Sequence, residues 1–190
     1  MAKARTFVAV AIDDVVRQRA VELMQELRPV AGDVKWVAPE NLHWTLQFLG
    51  DVDELEIPEV CTAISKAVAE IEPFELTTRG AGAFPSADRP RTLWLGAAEG
   101  EGAMIRLHSA IECRLRKRGY RGEARRYVPH LTLGRAGRDS RPRSLANELA
   151  ALADFDAGTM LVEEVTVFSS QLRREGPEYV ALGRAALGGV

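Results

Sequence analysis

The chain is poor in the residues from which cross-links and metal sites are made. Two cysteines and three histidines stand among its 190 residues. Two thiols cannot knit a disulfide framework. Cys61 and Cys113 both fall in apolar helical patterns, which predicts buried, reduced thiols in a reducing compartment. They cannot make a zinc site without other ligands nearby, and no His-Glu-x-x-His occurs, so neither metal nor cofactor is expected. No apolar run reaches the eighteen or so residues that span a bilayer, and "MAKARTFVAVAIDD" meets acids too early for a signal peptide. These absences predict a cytoplasmic protein without a membrane partner. No Pro/Gly/Ser-rich linker divides the chain, so residues 1–190 read as one domain, expected to act as a monomer. "GAGAF" lacks the spacing and context of a nucleotide-binding glycine motif.

Excess charge is also missing: the formal net charge is −2, so the molecule as a whole is no trap for polyanions. The charge is unevenly placed, however. Residues 51–75 hold eight acids and one Lys, whereas residues 114–143 hold eleven Lys or Arg and two acids. The second stretch is a candidate surface for an anionic ligand, or else a solvated helix face and loop.

Against this background two of the three histidines open the same tetrad. His43 begins "HWTLQF" and His130 begins "HLTLGR". Each tetrad follows a Val and a Pro, in "VAPENLHWTL" and "YVPHLTL", an internal echo that suggests two similar lobes with one motif each. The third, His108, shares a helical stripe with Ile105, Ile111 and Leu115 and reads as a residue at the core edge.

Periodicity supplies the frame. Strands are predicted at 6–12, 42–50, 74–84, 91–97, 130–134, 162–172 and 179–187, with a short extended segment at 34–37. Helices are predicted at 14–28, capped by Asp13 or Asp14 and ended by Pro29, and at 56–71, 102–118 and 143–153. Helices do not separate every pair of strands, so the sheets should be antiparallel or mixed and the class α+β.

On a strand, residues two apart share a face. His43 and Thr45 then look one way and Trp44 and Leu46 the other; His130 and Thr132 are disposed alike in front of Leu131 and Leu133. Two such strands would bring two imidazoles and two hydroxyls to one cleft. Imidazoles titrate near neutrality, so one can act as base while the other acts as acid. The hydroxyls can hydrogen-bond the non-bridging oxygens of a phosphate between them. This suits attack at phosphorus with an alkoxide leaving. Strict alternation puts Arg135 on the far face from His130 unless Gly134 allows a bulge; by the same parity Gln47 should face the cleft and Phe48 the core.

The tetrads, with "RTFVAVAI", "WVAPENLHWTLQFLGD", "GAFPSADRPRTLWLG", "VPHLTLGR" and "GPEYVAL", resemble the 2H phosphoesterases. The likeness is closest to the bacterial and archaeal RNA 2',3'-cyclic phosphodiesterases, also called 2'-5' RNA ligases. That resemblance implies a bilobal α+β fold with two mostly antiparallel sheets facing each other across a central cleft and helices outside. It implies hydrolysis of a 2',3'-cyclic phosphate at an RNA end to a 2'-phosphomonoester, on tRNA fragments, oligonucleotides or small cyclic nucleotides. It assigns His43 as proton donor and His130 as proton acceptor, with Thr45, Thr132 and Arg135 binding the substrate. Ligation by the reverse reaction, and a non-catalytic protein that binds RNA ends, remain as alternatives.

Overall fold

The computed structural model describes residues 2–122, 124–137, 145–173 and 176–189. Nine strands join in one sheet: β1 (Lys3–Ala11), β2 (Val34–Trp36), β3 (His43–Asp53), β4 (Phe74–Phe84), β5 (Thr92–Ala97), β6 (His130–Ala136), β7 (Asp156–Val162), β8 (Glu164–Arg173) and β9 (Gly176–Ala186). Four helices intervene: α1 (Asp14–Ala31), α2 (Ile57–Val68), α3 (Glu101–Arg116) and α4 (Leu145–Ala151). Of the helix expected at 143–153, the first two positions lie outside the described residues.

The strand order is β7-β4-β5-β6-β3-β1-β8-β9, with β2 also on β6, and every pairing is antiparallel. The sheet must curl. In that order β7 and β8 stand six strand spacings apart, about 29 Å if the sheet were flat. Yet only Glu163 separates Val162 from Glu164, a reach of about 7.6 Å at most. The bend falls at the join between β3 and β6, which rests on a single pair, Trp44 with Leu131. The sheet is thus two halves, β7-β4-β5-β6 and β3-β1-β8-β9, splayed about one seam. Helices α1 and α4 pack behind the first half and α2 and α3 behind the second.

Trp44 and Leu131 are both fully buried and anchor the seam from the helix side. Truncating a core Trp to Ala typically destabilises by about 3–5 kcal/mol. Around them Leu23, Leu27, Leu95, Met104, Leu107 and Ile111 fill one continuous core.

Four expectations need correction. Helix α1 does not end at Pro29 but runs through it to Ala31, closing at Gly32 with φ 67°. In a last turn Pro forfeits only its own hydrogen bond, and burying Ala31 completely favours the extra turn. Strand β7 was absent from the predicted elements, because Gly158 at φ 104° and the one-residue joint to β8 disguise it. Cys113 is exposed and Cys61 only partly buried, since neither lies on its helix's core stripe. Gln47 is buried and Phe48 is 48 % exposed, the reverse of the predicted parity.

Candidate active site

The parity reversal comes from a bulge. Between the pairs Val8–Gln47 and Ala9–Thr45, β3 holds one residue more than β1. An extra residue turns the side chains after it to the other face, until a second irregularity that skips Leu49, between Phe7–Phe48 and Thr6–Gly50, restores the parity and buries Val52. Leu46 and Gln47 are consequently both buried, and Phe48 comes round to the side of His43. Phe7, its partner across the ladder, confirms the face: its ring lies 5.9 Å from Phe48 and 4.9 Å from His43.

Strand β6 does the same. Between Leu93–Gly134 and Trp94–Thr132 it holds one residue more than β5, and Leu133 and Gly134 are both buried. Gly134 is demanded there by packing, because a Cβ would fall 2.6 Å from Val34 on β2. The bulge turns Arg135 to the cleft, where it lines one cavity with His43, Thr45 and Thr132. Arg135 therefore stands on the face of His130 and not on the far one.

The seam fixes the rest. Opposed residues of an antiparallel pair share a face. Trp44 and Leu131 point into the core, so the residues flanking them, His43 and Thr45 on β3 and His130 and Thr132 on β6, point the other way. The cleft cavity measures about 560 Å³, and Arg5, Phe48 and Tyr179 also line it. His130 stands outside that lining, near enough that its charge acts on His43.

Both imidazoles are held alike. His43 Nδ1 donates to the carbonyl of Asn41 at 2.7 Å, and His130 Nδ1 donates to the carbonyl of Val128 at 2.8 Å. A carbonyl only accepts, so each Nδ1 carries the proton and each Nε2 is left for chemistry. Both supports are themselves tied down. The Asn41 amide donates to the carbonyl of Pro177 at 2.7 Å, and the Tyr127 hydroxyl, next to Val128, donates to the carbonyl of Thr45 at 3.1 Å. Tyr127 in turn stacks flat on His108, ring centroids 4.0 Å apart.

The surroundings differ. His43 packs against Phe7 and the edge of Tyr179, and its bond to Asn41 is part-buried. Burial pushes its pKa below the ordinary imidazole value, the charges of Arg135 and His130 push the same way, and the Asn41 bond opposes them. His130 meets the edge of Phe84, and its bond to Val128 is open to solvent. Thr45 Oγ1 lies 3.0 Å from His43 Nε2, so with neutral His43 the hydroxyl donates to the ring.

Arg5, Asn41, Tyr127 and Tyr179 were not singled out in the sequence, and Phe48 was assigned to the core. Phe48 was detectable, because the echo places it five residues after His43 as Arg135 lies five after His130. Of the basic segment, Arg138, Arg141 and Arg143 lie outside the described residues. Among the described residues, no three His, Cys, Asp or Glu side chains gather as a metal site.

Two His-x-Thr tetrads on one face of a splayed antiparallel sheet define the class, that of two-histidine phosphoesterases. Residues 14–174 match the 2'-5' RNA ligase superfamily. A relative from Methanothermobacter thermautotrophicus named RNA 2',3'-cyclic phosphodiesterase is 37 % identical over 177 residues, 93 % of this chain and 95 % of its own. One of the same name from Thermotoga maritima is 31 % identical across 94 % and 92 % of the two chains. Among solved structures, one from Thermus thermophilus superposes with TM-score 0.80 at 30 % identity, covering 97 % of this chain and 98 % of that one. E. coli LigT complexed with 3'-AMP gives 0.79 at 25 %, covering 98 % and 99 %. The chain belongs to the 2'-5' RNA ligase superfamily.

Proposed function

We propose that this chain hydrolyses the 2',3'-cyclic phosphate at an RNA end to a 2'-phosphomonoester. The observation that carries the reading is the pair of imidazoles, each fixed through Nδ1 to a backbone carbonyl, flanking a seam that also presents Thr45 and Thr132. Neutral His130 takes a proton from water through Nε2 as the water oxygen bonds to phosphorus. The bond from phosphorus to the ribose 3'-oxygen breaks, and protonated His43 gives that oxygen its proton. Thr45 and Thr132 hold the non-bridging oxygens, and Arg135 offsets the charge gathering there. On binding, the Thr45 hydroxyl leaves His43 Nε2 and turns to the phosphate, which frees that nitrogen for the leaving oxygen.

The contrast in surroundings supports this division of labour. The base must meet water, and His130 is the more open ring. The acid must give up a proton to an alkoxide, and the burial that depresses the pKa of His43 makes its protonated form the stronger donor. The anionic substrate raises that pKa on arrival and so loads the ring.

The protein is read as one bilobal domain, monomeric and cytoplasmic; among the described residues no helix is long and apolar enough to cross a membrane. The deciding experiment supplies RNA with a 2',3'-cyclic end, in EDTA, and identifies the product. A 2'-phosphomonoester is expected. Tight binding without turnover would make the protein a binder of RNA ends. Joining of a cyclic end to a 5'-hydroxyl end would show the same site run backwards.

A further inference from the structure

A second cavity, of about 380 Å³, lies on the helix side of the sheet, between α2 and α3. Its walls are Thr62, Ala63 and Lys66 from α2, and Arg114, Lys117 and Arg118 at the end of α3. Thr62 and Lys66, four residues apart, form one stripe on α2, and Arg114 in the last turn of α3 is joined by Lys117 and Arg118 just past its end. The packing of α2 on α3 turns the two sets toward each other.

Four cations then share one concavity. Glu59 pairs with Arg118. Among the described residues no acid pairs with Lys66, Arg114 or Lys117. Helix C-termini attract cations, and Lys66 and Arg114 do lie in the last turns of their helices. Two such ends supply only about half a negative charge each. With Glu59 counted, an excess of roughly two positive charges remains.

The groove lies on the helix side of the sheet and the cleft on the other, and the stretch of chain between them is basic. From Arg118 the chain runs to His130 through Arg121, Arg125 and Arg126, all exposed. Arg114 lies about 9 Å along α3 from His108, which stacks on Tyr127 three residues before His130. That line, roughly 20–25 Å, passes through Tyr127, which is packed against the core, so a strand that rounds the surface has at least that far to go. At about 3.4 Å per phosphate in a stacked strand, that is at least six or seven nucleotides.

We infer that the α2–α3 groove is a second phosphodiester-binding site, which holds the RNA strand several nucleotides upstream of the cyclic end bound in the cleft. The inference rests on the proposed function. It makes the protein a reader of chain length: short ends are held by the cleft alone, longer ones by cleft and groove together.

The test compares a dinucleotide and a ten-nucleotide RNA, each with a 2',3'-cyclic end for turnover and a 2'-phosphate end for binding. The proteins are wild type and the triple variant Lys66→Gln, Arg114→Gln, Lys117→Gln; Arg118 is kept because Glu59 needs it. Both should turn over the dinucleotide alike, which also shows that the variant folds. Wild type should bind the longer RNA more tightly than the shorter. Three lost contacts should flatten the salt slope for the longer RNA by about two, so that going from 50 to 200 mM salt weakens wild type about 15- to 20-fold more than the variant. Equal affinity for both lengths, or a length effect that survives in the variant, overturns the groove. If neither protein turns over the dinucleotide, the proposed function fails. Binding of the ten-nucleotide RNA then still judges the groove by whether the variant loses the salt-dependent affinity.

Discussion

The two halves of the site are copies in backbone and opposites in environment. Each runs His, Thr two residues on, a bulge over the next two buried positions, and a cleft-facing residue five after the His. Each ties Nδ1 to the carbonyl two residues back. The differences begin where the copies stop. The fifth residue is Phe48 in one half and Arg135 in the other. One imidazole is wedged among Phe7 and Tyr179, and the other meets Phe84 and keeps an open flank. Symmetric scaffolding supplies two equivalent nitrogens, and asymmetric surroundings give them different work.

The largest break in this comparison comes from removing either ring. His43→Ala and His130→Ala should each lower kcat by about 10²–10⁴, the usual range for one acid–base partner. A substrate with sulfur in place of the leaving 3'-oxygen separates them. A thiolate departs with little need of a proton, so this substrate should largely restore His43→Ala and leave His130→Ala slow. Restoration of His130→Ala alone would exchange the two roles.

Next come the charges at the fifth position. Arg135→Gln should lower kcat/KM by about 10- to 100-fold, as expected for a lost hydrogen bond to an anion worth about 1.5–3 kcal/mol. It should also raise the pKa of His43, because Arg135 is one of the groups holding it down. NMR titration of the His43 ring in the free protein reads this shift directly. An unmoved titration would mean that Arg135 does not act on that ring.

How much of this was legible in the sequence depended on the bulges. Periodicity found seven of the strands and all four helices, because apolar spacing is a direct imprint of the faces that pack. The tetrads gave the four residues at the seam, since alternation holds from His43 to Leu46 and from His130 to Leu133. Directly after each tetrad one extra residue inverts the pattern. In β6 the glycine at 134 advertised the irregularity; in β3 Leu46 and Gln47 are ordinary strand residues and gave no sign. The bulge in β3 was readable only by carrying β6 over to it. The curl of the sheet was not legible in the periodicity, because it depends on β7, whose sequence hides it, and on strand order, which one sequence does not print; only the resemblance implied two facing halves.

Phe48 sharpens the contrast at the fifth position. Its ring is half exposed at the cleft, where a base can lie on it. Phe48→Ala should raise KM about fivefold, the low end of what base stacking on an aromatic is worth, and leave kcat nearly unchanged. Arg135→Gln lowers kcat as well. A fall in kcat for Phe48→Ala would mean that both fifth positions serve the reacting phosphate and that the halves differ less than their side chains suggest.

The smallest effect is on stability. Burial, above all, depresses the pKa of His43 in the folded protein. The unfolded chain keeps an ordinary imidazole, with a pKa of about 6.5. As pH falls through that value the unfolded state takes up a proton that the folded state still refuses. Stability therefore drops on acidification, and the loss ends only below the depressed folded value, where both states are protonated. His43→Gln removes the titrating group and should remove this part of the slope. The measurement is urea unfolding of both proteins at pH 7.5 and pH 5.5. Carboxylates contribute equally to each, so the difference between the two losses belongs to His43, and wild type should lose more. Equal losses would mean that the His43 ring is as well solvated as the unfolded chain's. The contrast between a dry half and a wet half would then have to be given up, and with it the reason for casting His43 as the acid.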